Sequence, residues 1–225
     1  MTPVELVNNA VTERLSFKKA GQRLEQLAPD ADAARTLVAA YEQGHAEPWM
    51  TAYLLGCIGH EAGYDTTREI LIGGHRQLSE SYAGVALALI GGAAAYDDLR
   101  SVVFSDAEGK IRRGAAYGMV KLKPPSVFDD LLDAHDQKLL PRSDVASHLS
   151  KCGISDGQLL QLLNQGEPRQ RLALGVVSSL NYEGCPHPMP GQEVAAAVLR
   201  VFQAGTAKTH RLVRQKLLKW AEENA

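Results

Sequence analysis

The chain has no long apolar run. Its longest, residues 85–95, is eleven residues and holds two glycines, well short of the roughly twenty that a membrane-spanning helix takes. It has no Gly-Lys-Ser or Gly-Lys-Thr and no glycine-rich phosphate loop, since its glycines gather where helices end. It has no Cys-x-x-Cys pair of the kind that holds zinc. Aromatic residues make up 6% of the chain, and no run of β-branched residues exceeds three outside helix-like periodicity. Both scarcities argue against a sheet-dominated fold. Three cysteines (Cys57, Cys152, Cys185) leave one unpaired in any disulfide scheme, which points to reduced thiols and a cytoplasmic setting. No basic start followed by an apolar core marks an export signal.

What the chain does have is alanine, leucine and valine at helical spacing, over 225 residues that can bury a continuous core. An all-α protein is the expectation. The net charge of −2 is unevenly spread. Residues 1–108 hold 8 Lys/Arg against 15 Asp/Glu, and residues 109–225 hold 16 against 11. Such polarity suits docking of an elongated partner or head-to-tail stacking, and it equally suits ordinary drift between surface positions.

The start is well signalled. Thr2, Pro3 and Glu5 stand as N-cap, first helical residue and capping-box partner. A helix with Val4, Val7, Val11 and Leu15 on one face should follow. Ser16 can cap a second through Leu24 and Leu27, ending near Pro29. Asp30 or Asp32 then opens a third, ended by Gly44.

From Pro48 onward a unit recurs, clearest over residues 79–103, where two short helices meet at Gly91-Gly92. First helices align on their final residues Gly59, Gly91, Lys123 and Gly153, spaced 32, 32 and 30 residues apart. One position earlier lie Ile58, Ile90, Leu122 and Cys152. Four earlier lie Leu55, Leu87, Met119 and Leu149, and seven earlier Ala52, Gly84, Ala116 and Ala146. A small residue three before a bulky apolar one lets neighbouring helices approach while the bulky chain fills the gap. A looser fifth copy covers 169–180 with Ala173, Val177 and Leu180. Second helices are expected at 65–72, 94–104, 126–135, 156–164 and 192–202. A last helix over 208–222 carries Leu212, Leu217, Leu218 and Trp220, with a basic outer side (Lys208, Arg211, Arg214, Lys216, Lys219). One such hairpin cannot bury its apolar face alone, whereas a stack can.

Ile111-Arg112-Arg113-Gly114-Ala115-Ala116-Tyr117-Gly118 and Arg171-Leu172-Ala173-Leu174-Gly175 resemble the Arg-x-x-Ala-x-x-x-Leu-Gly first helix of HEAT-like repeats. The phycobilisome-lyase type, with a period near thirty, is the nearest kind. Tyr53-Leu54-Leu55-Gly56-Cys57-Ile58-Gly59 is similar to the end of that helix. The resemblance covers roughly residues 48–204 and implies a right-handed α-α superhelix, a HEAT-like solenoid of about five hairpins. The whole chain, 1–225, is then one domain: a helical cap over 1–47, repeats over 48–204 and a capping helix over 205–225.

The resemblance also implies that second helices line a concave, binding wall. Their polar positions include Arg68 and Glu69, then Asp97, Asp98 and Arg100, then Asp129, Asp130 and Asp133, then Gln158 and Gln161. This reads as an acidic stripe fit for a basic segment, or as acids favoured in the first turns of helices. The segment 181–191, with three prolines and two glycines, is a loop longer than its siblings: an insertion, or a second contact through Tyr182 and His187. Cys57 and Cys152 read as small buried hydrophobes. His60-Glu61 resembles the iron-holding pairs of HEAT-like deoxyhypusine hydroxylases, but the equivalent turns read Gly92-Ala93 and Pro124-Pro125, so no metal site is expected.

The expected function is a non-catalytic protein- or peptide-binding scaffold or adaptor in the cytoplasm, with no cofactor and no membrane association. Its partner-binding residues would be Glu69, Asp97, Asp98, Arg100, Asp129, Asp130, Asp133, Tyr182 and His187. Two alternatives stand beside it. One is a bilin lyase or isomerase like the phycobilisome lyases. The other is a nucleic-acid binder using Lys110, Arg112, Arg113, Lys121, Lys123 and the basic last helix.

Overall fold

A computed structural model describes residues 1–73, 75, 79–181, 187–205 and 211–225. The described residues form helices and turns with no strand. They gather into two compact units, Met1–Pro125 and Ser126–Ala225.

The first unit holds α1 (Pro3–Val11), α2 (Phe17–Leu24), α3 (Ala31–Glu42), α4 (Pro48–Ile58), α5 (Tyr64–Ile72), α6 (Ser79–Gly91), α7 (Ala95–Val103) and α8 (Gly109–Leu122). Local chemistry sets their ends. Thr2 and Glu5 close a reciprocal capping box on α1, and the Asp30 carboxylate accepts from the Ala33 N–H at 2.7 Å to open α3. Gly59 ends α4 and Lys123 ends α8, both in the left-handed conformation with φ of 67° and 51°. At the aligned end of α6 the left-handed residue is Gly92, with φ of 54°, and Gly91 is still helical. The helix there is one residue longer than the spacing predicts.

Packing follows a simple order: α2 lies on α4, α4 on α6, and α6 on α8, while α5 packs on α4 and α6, and α7 on α6 and α8. Between α2 and α4, two pairs that meet stand thirty-two apart in sequence. Cys57 donates to Glu25, and Phe17 and Trp49 meet edge to face with centroids 4.7 Å apart. Leu55, Leu87 and Met119 are all buried, as are Ala52, Gly84 and Ala116. Each such bulky side chain contributes about 1.5–3 kcal/mol by leaving water. Ile58 is buried too, while Ile90 and Leu122 are only half-buried.

Glycine sets the spacing between α6 and α8. A Cβ on Gly84 would lie 1.9 Å from the Gly114 carbonyl oxygen, and one on Gly118 would lie 2.3 Å from the Gly84 oxygen. The two backbones touch, and no side chain of any size fits between them.

The second unit holds α9 (Val127–Asp136), α10 (Arg142–Cys152), α11 (Asp156–Leu163), α12 (Glu167–Leu180), α13 (Gln192–Ala204) and α14 (Arg211–Asn224). Here α10 packs on α9 and α12, α11 on α12 and α13, and α14 on α12 and α13. Ser155 and Gln158 form the second capping box, and Gly153 ends α10 in the left-handed conformation with φ of 82°. Leu149 and Ala146 are buried like their counterparts in the first unit, and Cys152 is half-buried. The last helix is described from Arg211. Leu217 and Trp220 are buried on it, but Leu212, expected among its apolar contacts, is exposed. Lys208 lies outside the described residues.

Candidate functional site

The second helices in the first unit present Glu69, Asp97, Asp98 and Arg100, all exposed. Two of these side chains are already engaged. The Tyr64 hydroxyl donates to Asp98 at 2.8 Å, joining α5 to α7, and the Arg100 guanidinium sits 4.9 Å above the Phe104 ring. Burial and the Asp98 carboxylate together push the Tyr64 phenol up to about 12. Glu69 on α5 and Asp97 on α7 are the other two exposed acids.

In the second unit, Asp129 and Asp133 are exposed on α9, but Asp130 is only 8% exposed. It shares a helix face with the buried Val127, Leu131 and Ala134, and it is held by partners within the fold. Asp130 is therefore a core-facing group, which corrects its expected place in an acidic contact surface.

His187 also has a local task. Its ring Nε2–H donates to the Lys151 carbonyl at 3.0 Å, and the ring rests on Gly153, where a Cβ would come within 2.9 Å of it. A few residues on, the Gly191 N–H donates to the Asp156 carboxylate at 2.9 Å. These two bonds fasten the end of the 181–191 segment to α10 and α11. Tyr182 and Cys185, the other residues singled out there, lie outside the described residues.

Several of the basic residues make contacts within the fold. Lys110 pairs with Glu80 at 3.6 Å and with Glu108 at 3.5 Å. Arg112 donates to the Ser105 carbonyl at 3.3 Å, and Arg171 pairs with Glu167 on its own helix. Arg214 sits 5.6 Å above the Phe202 ring. A cleft of about 460 Å³ in the second unit is lined by His135, Arg142, Ser143, Glu167 and Arg171. Glu167 of the lining pairs with Arg171, and Asp136, next to His135 in sequence, pairs with Arg169.

A second hollow, in the first unit, was not anticipated from the sequence. It runs across α4 and α6, has a volume of about 330 Å³, and is lined by Tyr53, Tyr82, Val85, Leu89 and Tyr117 over a floor of Ala52, Gly56 and Ala86. An aromatic cluster forms one wall: Tyr53 meets Phe17 at 5.6 Å and Tyr82 at 5.8 Å, both edge to face. Glu25 and Lys121, both exposed, are the charged residues of the lining. The Cys57 thiol, also in the lining, donates to Glu25 at 3.4 Å. Burial, then the nearby carboxylate, pushes that thiol up to about 12, and burial together with Cys57 raises the Tyr53 phenol to about 12. At neutral pH both groups are thus held in their protonated forms. His60 likewise acts as a cap, its Nδ1 accepting from the Ala62 N–H at 3.1 Å.

Among the described residues, no three His, Cys, Asp or Glu side chains converge as a metal site would require. No described helix is long and apolar enough to cross a membrane. No protein-family model matches the chain, and no curated protein matches its sequence.

Proposed function

We propose that the chain is a non-catalytic binding scaffold: a HEAT-like α-solenoid of stacked hairpins that holds a basic protein or peptide segment against its second helices. The observation that supports this reading is the packing order of the first unit, in which α2 lies on α4, α4 on α6 and α6 on α8, with Cys57 meeting Glu25, Gly56 meeting Ala86 and Gly84 meeting Gly114 at successive steps. Stacked hairpins bury their first helices against one another and leave the second helices to offer a surface. Glu69 and Asp97 on second helices of the first unit are exposed acids suited to basic side chains, and so, within the second unit, are Asp129 and Asp133. Exposed charge carried on rigid helices suits recognition. A cytoplasmic setting belongs to the same reading, because three cysteines cannot all pair within the chain.

The test is a titration of a labelled basic amphipathic peptide by fluorescence anisotropy at low salt. The joint variant Glu69→Lys, Asp97→Lys, Asp129→Lys, Asp133→Lys should weaken binding at least about tenfold, or 1.4 kcal/mol, with its helical circular dichroism intact. Equal binding by that folded variant would overturn the proposal.

A further inference from the structure

We infer that the hollow across α4 and α6 is a docking site for an extended peptide segment carrying one bulky apolar side chain between a basic end and an acidic end. This surface belongs to the first helices and does not depend on the acids of α5, α7 and α9.

Its lining falls into two rungs that cross the helix row. One is Glu25, Cys57, Leu89 and Lys121, the other Tyr53, Val85 and Tyr117, with neighbours in each thirty-two residues apart. The centre is apolar and recessed. Gly56 supplies no side chain, and a Cβ there would stand 3.0 Å from that of Ala86, so a larger residue would fill the notch. Tyrosine rings and Val85 wall it, and Leu89 remains 44% exposed at its edge. A hollow of about 330 Å³ takes one leucine-sized or aromatic side chain with its near neighbours.

The ends of the first rung differ in sign. Glu25 closes α2 at one side and Lys121 stands in the last turn of α8 at the other. Packed helices lie about 8–10 Å apart, so three steps along the row separate these charges by roughly 25 Å before the side chains lean inward. No single small zwitterion bridges that span. An extended chain covers it in about seven or eight residues at 3.3–3.6 Å each. Between the two ends the tyrosines, Ser81 and Cys57 carry no formal charge. A segment with a basic residue over Glu25, an apolar anchor in the notch and an acidic residue over Lys121 matches the whole rung.

The experiment uses the full chain and four fluorescein-labelled decapeptides sharing a central Phe: mixed ends (Lys and Glu), two basic ends, two acidic ends, and mixed ends with the Phe replaced by Ala. The mixed-end peptide should bind at least fivefold tighter than the other three, and Leu89→Glu should weaken it at least tenfold. Lys121→Glu should switch preference to the peptide with two basic ends, and Glu25→Lys to the one with two acidic ends. Lys121→Glu disturbs no described core contact, so it remains informative if the Glu25 variant, which loses the Cys57 bond, misfolds. Failure of all four peptides to bind at millimolar concentration, an unchanged preference in a folded Lys121→Glu protein, or indifference to Leu89→Glu would overturn the inference. Basic-peptide binding that survives Leu89→Glu but falls with Asp97→Lys would overturn it too, while leaving the second-helix reading standing.

Discussion

The two units bring helices together by different means. In the first, α6 and α8 touch through backbone: Gly84, Gly114 and Gly118 face carbonyl groups with no room for a methyl. In the second, the matching approach of α10 and α12 uses Gly175 against the Ala146 Cβ, 3.1 Å from where a methyl would sit. Side chains there can give way where a carbonyl cannot. Each unit also pairs charges between helices, Lys110 of α8 with Glu80 of α6 in the first and Asp136 of α9 with Arg169 of α12 in the second, and the first has an aromatic cluster as well. The same small-residue device is thus rigid in one place and forgiving in the other.

Substitution at these glycines breaks the comparison most directly. Gly84→Ala should cost about 4 kcal/mol, at the upper end for overpacking, because both contacts are main chain. Urea unfolding, with amide exchange followed over residues 79–122, would locate the loss in the first unit. Leu87→Ala and Leu149→Ala test what the units share. Each removes a fully buried side chain and should cost about 3 kcal/mol. A markedly smaller cost at Leu149 would mean that the second unit collapses around the void. Gly175→Ala should cost only about 1 kcal/mol, and a loss equal to that at Gly84 would erase the contrast. The capping boxes give the smallest difference: Thr2→Ala and Ser155→Ala should each lower stability by about 1 kcal/mol in chemical denaturation.

Alkaline titration sharpens the comparison in another way. Tyr53, Tyr64 and Cys57 are all raised to about 12, and all lie in the first unit. Their folded pKa values exceed the unfolded ones, so the fold favours their protonated forms. The stability they contribute is present in full below pH 9–10 and is lost as pH rises through 12. Amide exchange in the first unit should accelerate over that window, together with tyrosinate absorbance; ionisation of these tyrosines near pH 10 with no change in exchange would contradict it.

Much of this architecture was legible in the residues. The small and bulky positions at seven and four before the four aligned helix ends are all buried, because a helix that packs on two neighbours sets the same volume demand at that spacing. Helix starts read well where the cap is local, as at Thr2, Asp30 and Ser155. The membership of α2 in the row was obscured because Arg23 occupies the place of the bulky residue, and Leu24 beside it is the one buried. Asp130 carried its own signal: it falls three after Val127 and four before Ala134, within the apolar face. The tether at His187 and the hollow at Gly56 depend on residues far apart in sequence, so no local pattern marks them.

The end of α8 leaves the chain unspent stability. Lys123 adopts the left-handed conformation that Gly59 and Gly153 adopt at equivalent ends, and a side chain there works against its own backbone by about 1 kcal/mol. Lys123→Gly relieves that conflict without touching the core. The position is thus a starting point for hardening the protein for laboratory use, and a sign that selection tolerated a less comfortable residue ahead of Pro124-Pro125.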